Sequence, residues 1–408
     1  MNKFTIILPT RERADTLHFS LKTCVAQDYP ELQILVSDNC SSDNTYDVVH
    51  SFNDPRIRYI KPQERLSMSH HWEFALEHVN EGFVMFLGDD DGILPNSLLH
   101  IDALIDQYGV SAVNWRSDHY LWPSFNFTKR ANLLKISLDK GHKVLNGATE
   151  LTELISCKKG YEVVPWLYKG FVDVEVVRRV QRVSKAFFCS RIPDVYSGIV
   201  LATVIDTYIY SYFPFTLDGV SGHSNGTSFG MATKQKAAAN LFLSEKNLPM
   251  HEGFLYCQSA FLLTAESVFQ AIDHHVLDPK EFKVDIVAFL KAALTEVQKE
   301  PKSRYDNVMA AINYTAEYFK ISTQIIANLT KQYPNKPLGE KYDRNVEGFN
   351  RFKNRIEVDA SKYGVDNVYD ATLLDDKIRK DPSAYMNPLA VTKSTAKFVV
   401  REIKKRYF

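Results

Sequence analysis

The segment from Phe83 to Pro95 places three consecutive aspartates directly after a short apolar run. The run Phe83–Leu87 is uninterrupted, which is typical of a strand buried on both faces of a sheet. Asp89, Asp90 and Asp91 then stand at the carboxyl end of that strand, where open α/β sheets bind their ligands. Adjacent carboxylates repel one another and are costly to desolvate without a cation. The segment predicts a site for a hard divalent cation that bridges to a substrate phosphate, with a solvated acidic turn as the alternative.

The composition is that of an ordinary soluble protein with length for about two or three domains. Hydrophobic residues make up 45% of the 408 residues and charged residues 24%. Lys+Arg and Asp+Glu are equal at 49 each, so the net charge does not indicate nucleic acid as a partner. No apolar run reaches the ~18 residues of a membrane span, and the N-terminus enters a strand pattern directly, so we expect no signal peptide and a cytoplasmic location. The five cysteines are scattered without metal-ligand spacing, which fits a reducing compartment.

Residues 1–115 alternate between strand and helix patterns, which predicts βαβ units around a mostly parallel sheet with helices on both faces. The predicted strands are Phe4–Leu8, Leu32–Val36, Ile57–Ile60, Phe83–Leu87 and Val110–Trp115. Helices are expected after Asp15 and after Asp43, and over Met68–Val79 and Asn96–Tyr108. We therefore expect an α/β fold of the Rossmann-like αβα kind.

The rest of the chain changes character twice. Residues 116–228 are mixed, with a predicted strand and two helices at Tyr168–Val172, Val174–Val183 and Val195–Val204. After Ser228 the strand patterns disappear, and helices are expected at 232–247, 253–274, 279–299 and 304–332. We expect a catalytic domain at 1–228 (halves 1–115 and 116–228), a helical region at 229–335 and a polar tail at 336–408.

Three polar loops follow the first, second and fourth predicted strands. In a parallel sheet these loops lie at one edge and can converge on one ligand. The first holds Thr10, Arg11 and Glu12, and the second holds Asp38 and Asn39, which suit a nucleobase edge or a ribose. No Gly-x-Gly-x-x-Gly turn and no P-loop occurs, so phosphates would be held by metal and side chains.

The combined pattern resembles the opening of family 2 glycosyltransferases. Residues 4–45 carry the Pro-Thr loop and the Val-Ser-Asp-Asn loop in FTIILPTRERADTLHFSLKTCVAQDYPELQILVSDNCSSDNT. The later segment FVMFLGDDDGILP resembles the metal-binding motif of the same family, with its proline in register. The resemblance implies a GT-A fold, a nucleotide-diphosphate-sugar donor such as a UDP-sugar, a Mn²⁺ or Mg²⁺ ion, and inversion at the anomeric carbon.

The resemblance also implies roles for individual residues. It assigns the nucleotide-sugar contacts to Thr10, Arg11, Glu12, Asp38, Asn39 and Asp89. Asp90 would bind the metal, and Asp91 would ligate or orient. Gly88 stands where many relatives have aspartate, so the acidic set begins one residue later here. Arg65 is a candidate contact of the diphosphate, and a surface arginine is the equal alternative.

Inverting transfer also needs a group that takes the proton from the acceptor hydroxyl. In the family this base is a carboxylate downstream of the metal motif and just before a helix. Asp194 in Arg191-Ile192-Pro193-Asp194 fits that position. An aspartate after proline is also a good helix cap, and Asp173 is the second candidate for the base.

Other features are less specific. Aromatic residues of the second half could line an acceptor groove, although core packing explains most such residues: Trp115, Tyr120, Trp122, Trp166 and Tyr168. His223 could complete a metal shell or stand in an exposed loop. Residues 394–408 resemble a basic amphipathic helix, so we expect peripheral contact with the inner face of the cell membrane, with a docked helix as the alternative. Flotation with anionic vesicles that is unchanged when these residues are deleted would refute the contact.

The sequence therefore favours a metal-dependent glycosyltransferase that uses a glycan or lipid-linked acceptor in surface polysaccharide or glycoconjugate synthesis. Nucleotidyl transfer that makes a nucleotide-sugar is one alternative, but the first loop lacks the glycines such enzymes carry. A non-catalytic sugar-binding or scaffolding relative is the other, and the retained aspartates speak against it.

Overall fold

The computed structural model describes residues 1–125, 130–222, 247–337, 347–350 and 353–385. The strands are β1 (Phe4–Thr10), β2 (Leu32–Asp38), β3 (Ile57–Ile60), β4 (Phe83–Phe86), β5 (Gly92–Ile93), β6 (Ala112–Trp115), β7 (Asp118–Leu121), β8 (Leu133–Ser137), β9 (His142–Asn146), β10 (Gly170–Asp173), β11 (Thr207–Ser211), β12 (Thr216–Val220), β13 (Gly348–Asn350) and β14 (Arg355–Asp359). The helices are α1 (Ala14–Val25), α2 (Thr45–His50), α3 (Met68–Leu76), α4 (Ser97–Tyr108), α5 (Gly147–Ile155), α6 (Val174–Ser184), α7 (Pro193–Val204), α8 (Ala260–Asp273), α9 (Ile286–Val297), α10 (Lys302–Tyr318), α11 (Thr323–Gln332) and α12 (Val368–Lys380).

A mixed sheet of eight strands has the order β3-β2-β1-β4-β10-β6-β11-β9. Strands β3, β2, β1 and β4 run parallel, as do β6 and β11, while β10 and β9 are antiparallel to their neighbours. The register pairs Thr10 with Asp38 and Ile7 with Phe86, so β1, β2 and β4 end at the same edge. The α/β fold with a largely parallel sheet is confirmed.

Strand β1 is buried on both faces, which explains why its sequence is continuous and not alternating. Ile6 and Leu8 belong to a core with side chains of α1 and α4, whereas Ile7 lies in a core on the other side with Trp72 of α3. Burying each such side chain contributes roughly 1.5–3 kcal/mol. The two cores fix the sheet edge at which the polar loops emerge.

A second sheet has six strands in the order β13-β14-β8-β7-β12-β5. Strand β5 follows the three aspartates directly, and β12 pairs with it through Leu217 opposite Gly92. Strand β12 also runs parallel to β7. The sequence did not predict β5, β7, β8, β9, β11 or β12, because these strands are two to five residues long and most of them mix polar with apolar residues.

The helical region predicted after the catalytic domain is confirmed for the described residues, with shorter helices than expected. Helices α8 and α9 fall within the expected ranges, and the expected helix 304–332 is divided into α10 and α11 near Lys320, whose φ is 54°. Helix α8 packs on α7, and the buried Glu266 accepts a hydrogen bond of 2.8 Å from Ser190 Oγ. The helix expected at 232–247 lies outside the described residues except for residue 247. No described helix combines the length and apolar character needed to cross a membrane.

Part of the expected polar tail is folded onto the second sheet. Strand β14 pairs with β8, β13 pairs with β14, and α12 packs on α1 and β5. The expectation that strands end at Ser228 was therefore wrong. Each returning element buries only a few apolar side chains, such as Ile356 and Val368, which leaves too short a pattern to detect in the sequence. The predicted membrane-contacting segment 394–408 lies outside the described residues.

One buried arginine anchors this returning segment. Arg379 on α12 forms an ion pair of 2.5 Å with Asp375 Oδ1 and a second, very short one with Asp118 on β7. It also donates a hydrogen bond of 2.7 Å to the carbonyl oxygen of Ser137 on β8. The guanidinium therefore joins α12 to two strands of the second sheet.

Replacing Arg379 by methionine should destabilise the protein by about 3–5 kcal/mol, because it leaves two buried carboxylates without their counter-charge. Lys380→Met is the matched control, since it removes an exposed ion pair with Asp376 one residue along the helix and should change stability by less than about 1 kcal/mol. Urea unfolding of both variants measures the difference. Equal effects of the two substitutions would contradict the anchoring role.

Candidate functional site

The loops after β1, β2 and β4 meet at one edge of the large sheet, as predicted. Thr10 Oγ1 donates a hydrogen bond of 2.9 Å to Asp89 Oδ2. The backbone N–H of Asn39 donates to the Thr10 carbonyl oxygen at 2.9 Å. Thr10 therefore lies between the second loop and the aspartates, and it ties the three loops into one unit.

Glu12 organises the outer side of the first loop. It adopts a left-handed backbone conformation with φ 55°, and its carboxylate accepts hydrogen bonds from the backbone N–H groups of Ser42 and Asp43. Arg65 forms an ion pair of 2.8 Å with Glu12 Oε1. Both side chains of this pair are partly exposed, so Glu12 orients Arg65 at the rim of the site.

Asp38 and Asn39 are almost fully buried, and their side chains bond to the protein itself. Asp38 accepts hydrogen bonds from the Tyr59 hydroxyl at 2.6 Å and from the Ser41 N–H at 2.9 Å. The Asn39 amide pairs with both backbone groups of Leu66, at 2.7 and 2.8 Å. Both residues therefore shape the second loop, and the Asn39 side chain is engaged on its donor and its acceptor side.

Asp89 has a counter-charge that the sequence did not single out. Arg13, at the start of α1, forms an ion pair of 2.9 Å with Asp89 Oδ1. Burial lowers the pKa of Arg13, but the carboxylates of Asp89 and Asp90 raise it by more than burial lowers it. The guanidinium therefore stays charged. The first aspartate is therefore neutralised by the loop that also supplies Thr10.

Asp90 is held by the second sheet. Its Oδ2 accepts a hydrogen bond of 2.7 Å from Ser221 Oγ, which follows β12 directly. Its backbone carbonyl accepts one of 2.9 Å from the indole N–H of Trp122. The sequence carried no signal for Ser221, because its contact with Asp90 depends on how β12 pairs beside β5.

Asp91 is the most deeply embedded of the three aspartates. Its Oδ1 accepts the N–H of Gly219 at 2.7 Å, and its Oδ2 accepts the Tyr168 hydroxyl at 2.7 Å and the N–H of Gly88 at 3.1 Å. The ammonium of Lys169 lies 3.5 Å from the same oxygen. Both carboxylate oxygens of Asp91 therefore accept hydrogen bonds from protein groups.

Two glycines are required by this packing. A Cβ at Gly88 would lie 2.6 Å from Asp91 Oδ2 and 2.7 Å from the Tyr168 hydroxyl. A Cβ at Gly219 would lie 1.6 Å from the carbonyl oxygen of Asp90. A side chain at position 88 would therefore overlap both the Asp91 carboxylate and the Tyr168 hydroxyl.

Asp194 lies in the first turn of α7 but does not cap it. No side-chain cap bond is present at this helix, and Asp194 Oδ1 is buried without a hydrogen-bond partner among the described residues. Burial raises the pKa of Asp194, while nearby backbone N–H groups and the charge of Lys169 lower it. A buried carboxylate oxygen left unpaired in this way is costly for the fold.

The second candidate base, Asp173, has a structural role. Its side chain caps α6 by accepting the N–H of Glu175 at 2.9 Å. It pairs with Phe83 at the start of β4, at the sheet edge opposite the aspartates. Asp173 is therefore remote from the site.

The donor set for a metal ion is small. No three described His, Cys, Asp or Glu side chains are grouped so as to hold a metal ion by themselves. The carboxylate of Asp90 offers the hard oxygen ligands that Mg²⁺ or Mn²⁺ prefers, and such ions usually need only one or two carboxylates when a substrate phosphate supplies the rest. The residues therefore fit an ion that binds together with a diphosphate.

The aromatic candidates divide into two groups. Trp115, Tyr120 and Trp122 are buried in the cores, as the packing alternative predicted. Trp166 and Tyr168 are half-buried, with ring centroids 5.9 Å apart, and the Tyr168 hydroxyl bonds to Asp91. His223 lies outside the described residues.

Gly219→Ala should destabilise the protein by about 3 kcal/mol or more, because the new methyl group overlaps the Asp90 carbonyl and neither backbone can withdraw. Gly141→Ala is the control, since nothing lies within 4 Å of its Cβ and only its φ of 84° opposes the change. The free energy of unfolding of the Gly141→Ala control should fall by about 1–2 kcal/mol. Urea unfolding followed by tryptophan fluorescence measures both, and a Gly219 variant no worse than the control would refute the close packing.

Comparison with known proteins agrees with this geometry over the first part of the chain. Residues 5–161 match the family model described as glycosyl transferase family 2. The GalNAc(5)-diNAcBac-PP-undecaprenol beta-1,3-glucosyltransferase of Campylobacter jejuni is 36% identical over 101 residues, which cover 24% of this chain and 33% of that protein. A UDP-Glc:alpha-D-GlcNAc-diphosphoundecaprenol beta-1,3-glucosyltransferase of Escherichia coli is 31% identical over 94 residues, or 23% of this chain and 37% of that protein. The match thus spans about a third of the length of these relatives.

Among solved structures, the chain is similar to TarS of Staphylococcus aureus, with a TM-score of 0.45 and 15% identity over 81% of this chain and 55% of that chain. The similarity to glycosyl transferase family 2 thus covers residues 5–161 of this chain.

Proposed function

We propose that this protein is an inverting, metal-dependent glycosyltransferase that moves a sugar from a UDP-sugar to a hydroxyl of a glycan or lipid-linked acceptor. One observation carries the proposal: the loops after β1, β2 and β4 meet at one sheet edge that holds Asp90, and Lys169 beside Asp91 also acts electrostatically on the buried carboxylate of Asp194. We therefore assign the nucleotide-diphosphate contacts and the base to one site.

The nucleotide side is supported by the first two loops. Thr10 and Asp89 stand where the ribose is expected, and Arg65 is oriented at the rim, where it can meet a diphosphate. Arg11 belongs to the same loop. The side chains of Asp38 and Asn39 form hydrogen bonds within the protein that shape the second loop. The nucleobase of the donor would therefore contact mainly the backbone of this loop.

Asp90 is the residue that would hold the divalent cation, together with the donor diphosphate. When bound, such an ion offsets negative charge on the departing diphosphate. Trp122 and Ser221 fix the backbone and the carboxylate of Asp90, so its position does not depend on the ion alone. Preorganised groups of this kind need little rearrangement when charge develops.

Asp194 would act as the general base. Its carboxylate takes the proton from the acceptor hydroxyl while the hydroxyl oxygen attacks the anomeric carbon from the face opposite the diphosphate, which inverts the configuration. Asp194 must be ionised to do this. The charge of Lys169 favours the ionised form and burial opposes it.

The named relatives support the choice of donor and acceptor. One uses UDP-Glc and alpha-D-GlcNAc-diphosphoundecaprenol, and another acts on a diphosphate-linked undecaprenol glycan. Poly(ribitol-phosphate) beta-N-acetylglucosaminyltransferase TarS of Staphylococcus aureus is 29% identical over 112 residues. We therefore expect a hexose or N-acetylhexosamine donor and a polyprenyl-diphosphate glycan or a surface polymer as acceptor.

The test is UDP release from a panel of UDP-sugars with Mn²⁺ and a synthetic N-acetylglucosaminyl diphosphate lipid. UDP release should depend on the lipid and disappear with EDTA. Asp90→Asn should lower kcat roughly 100-fold or more through loss of the ion. Release of pyrophosphate instead of UDP would support nucleotidyl transfer, and lack of any turnover across the panel would count against the proposal.

The base is tested by pH and by a matched pair of variants. Burial raises the pKa of Asp194 above the ordinary value for an aspartate. As the pH is lowered, the transfer rate should therefore begin to fall at a higher pH than an ordinary aspartate would give. Asp194→Asn should abolish transfer while calorimetry still detects UDP binding. Asp173→Asn should retain transfer and lose only about 1 kcal/mol of stability as a weakened helix cap. Equal activity of the two variants would refute Asp194 as the base.

A further inference from the structure

Lys169 is a buried cation between acidic groups from two parts of the fold. Its ammonium lies 2.8 Å from Asp218 Oδ1 on β12 and 3.5 Å from Asp91 Oδ2 after β4. It also lies 4.3 Å from the centre of the Tyr168 ring, and only 9% of its side chain is exposed. Burial lowers the pKa of Lys169, but the two carboxylates raise it to about 12, so the side chain remains charged.

The backbone at Lys169 is held in an unusual conformation. Its φ is 59°, in the left-handed region that non-glycine residues seldom adopt. The Lys169 N–H donates a hydrogen bond of 2.9 Å to the Phe86 carbonyl oxygen, just before the aspartates. Such strain persists where the surrounding structure fixes it, often at functional sites.

The two partners of Lys169 belong to the frame that holds the aspartate loop. Gly219 follows Asp218 and donates its N–H to Asp91, and Ser221 bonds Asp90 from the end of the same strand. Asp218 also faces His119, whose Nδ1 lies 3.6 Å from its Oδ2. The Lys169 ammonium attracts both Asp91 and Asp218 and therefore holds β12 close to the aspartate loop.

We propose that Lys169 is a positioning residue: it joins the aspartate loop to β12 as an internal counter-ion, keeps Asp91 bound to the protein, and leaves Asp90 as the aspartate that meets the metal and the donor. The inference rests on the proposed function for its catalytic consequence. Its structural part, the coupling of β12 to the loop, stands on the contacts alone.

The contacts of Asp91 fit a residue that stays bound to the protein while Asp90 meets the metal. Three hydrogen bonds and Lys169 surround the Asp91 carboxylate, and all of them would be lost or weakened if the oxygen atoms turned towards an ion. Displacing Lys169 would also leave an unpaired ammonium in a buried position, which is costly. We therefore propose that Asp91 acts as an anchor, which is the second of the two roles, ligating the metal or orienting, that the sequence left open for it.

The experiment compares Lys169→Met with Lys169→Arg in the full chain, with Lys159→Met as the control. Lys159 pairs with the buried carboxylate of Glu150 at 2.6 Å and has no contact with the aspartates. Hydrogen exchange of the segments 88–92 and 217–221, UDP and Mn²⁺ binding by calorimetry, and the kcat and KM for the donor are measured for each variant.

Lys169→Met should speed exchange in both segments and lower kcat roughly 30-fold, while the donor KM changes less than about threefold, because positioning and not donor contact is lost. Lys169→Arg should restore most of kcat, and Lys159→Met should leave exchange and kcat unchanged. Asp91→Asn should keep Mn²⁺ binding in the presence of UDP, whereas Asp90→Asn should lose it.

Three results would overturn the inference: unchanged exchange in both segments of Lys169→Met, a raised KM with an unchanged kcat, or loss of Mn²⁺ binding in Asp91→Asn. If the wild-type protein transfers no sugar at all, the proposed function fails. The exchange data would still decide whether Lys169 couples the loop to β12.

Discussion

The structure depends on the neutralisation of a buried acidic cluster at the end of β4. Asp89, Asp90 and Asp91 are each at most 5% exposed, which would be prohibitive for three bare carboxylates. Arg13 and Lys169 supply two cations, and backbone N–H groups and hydroxyls supply the rest of the hydrogen bonds. The cluster is thus stable as a folded site, and it retains a negative excess that suits a divalent cation.

The groups that compensate the aspartates come from different parts of the protein. Arg13 comes from the first loop of the large sheet, Gly219 and Ser221 from β12 and the residue after it, and Lys169 from the position just before β10. The second sheet is itself completed by β13 and β14 and held by Arg379 of α12. The C-terminal segment therefore supports the site indirectly, since α12 packs on β5 immediately after the aspartates.

The parts that the sequence predicted are those that local pattern controls. The apolar strands and the polar loops after them are contiguous, so the edge at which Thr10, Asp38 and Asp89 meet follows from the parallel sheet alone. Asp194 was singled out because it stands at the start of an apolar helix pattern, and in the structure it lies in the first turn of α7 without capping it.

The parts that the sequence did not predict are set by long-range register. Lys169, Asp218 and Ser221 lie in short stretches without a distinctive pattern, and they reach the aspartates only because β12 pairs with β5. The return of β13 and β14 to the second sheet was missed for the same reason. Pairing between strands far apart in sequence leaves no periodicity within either strand that would identify its partner.

The three adjacent aspartates therefore have different partners in the structure. A chain reversal after Gly88 turns Asp91 inward to the protein and leaves Asp89 with Arg13, and the absence of a side chain at Gly88 is what makes room for the inward carboxylate. An aspartate at position 88 would compete with Asp91 for the same space beside Tyr168. The packing around Gly88 thus turns the Asp91 carboxylate inward, where it anchors the loop that carries Asp90.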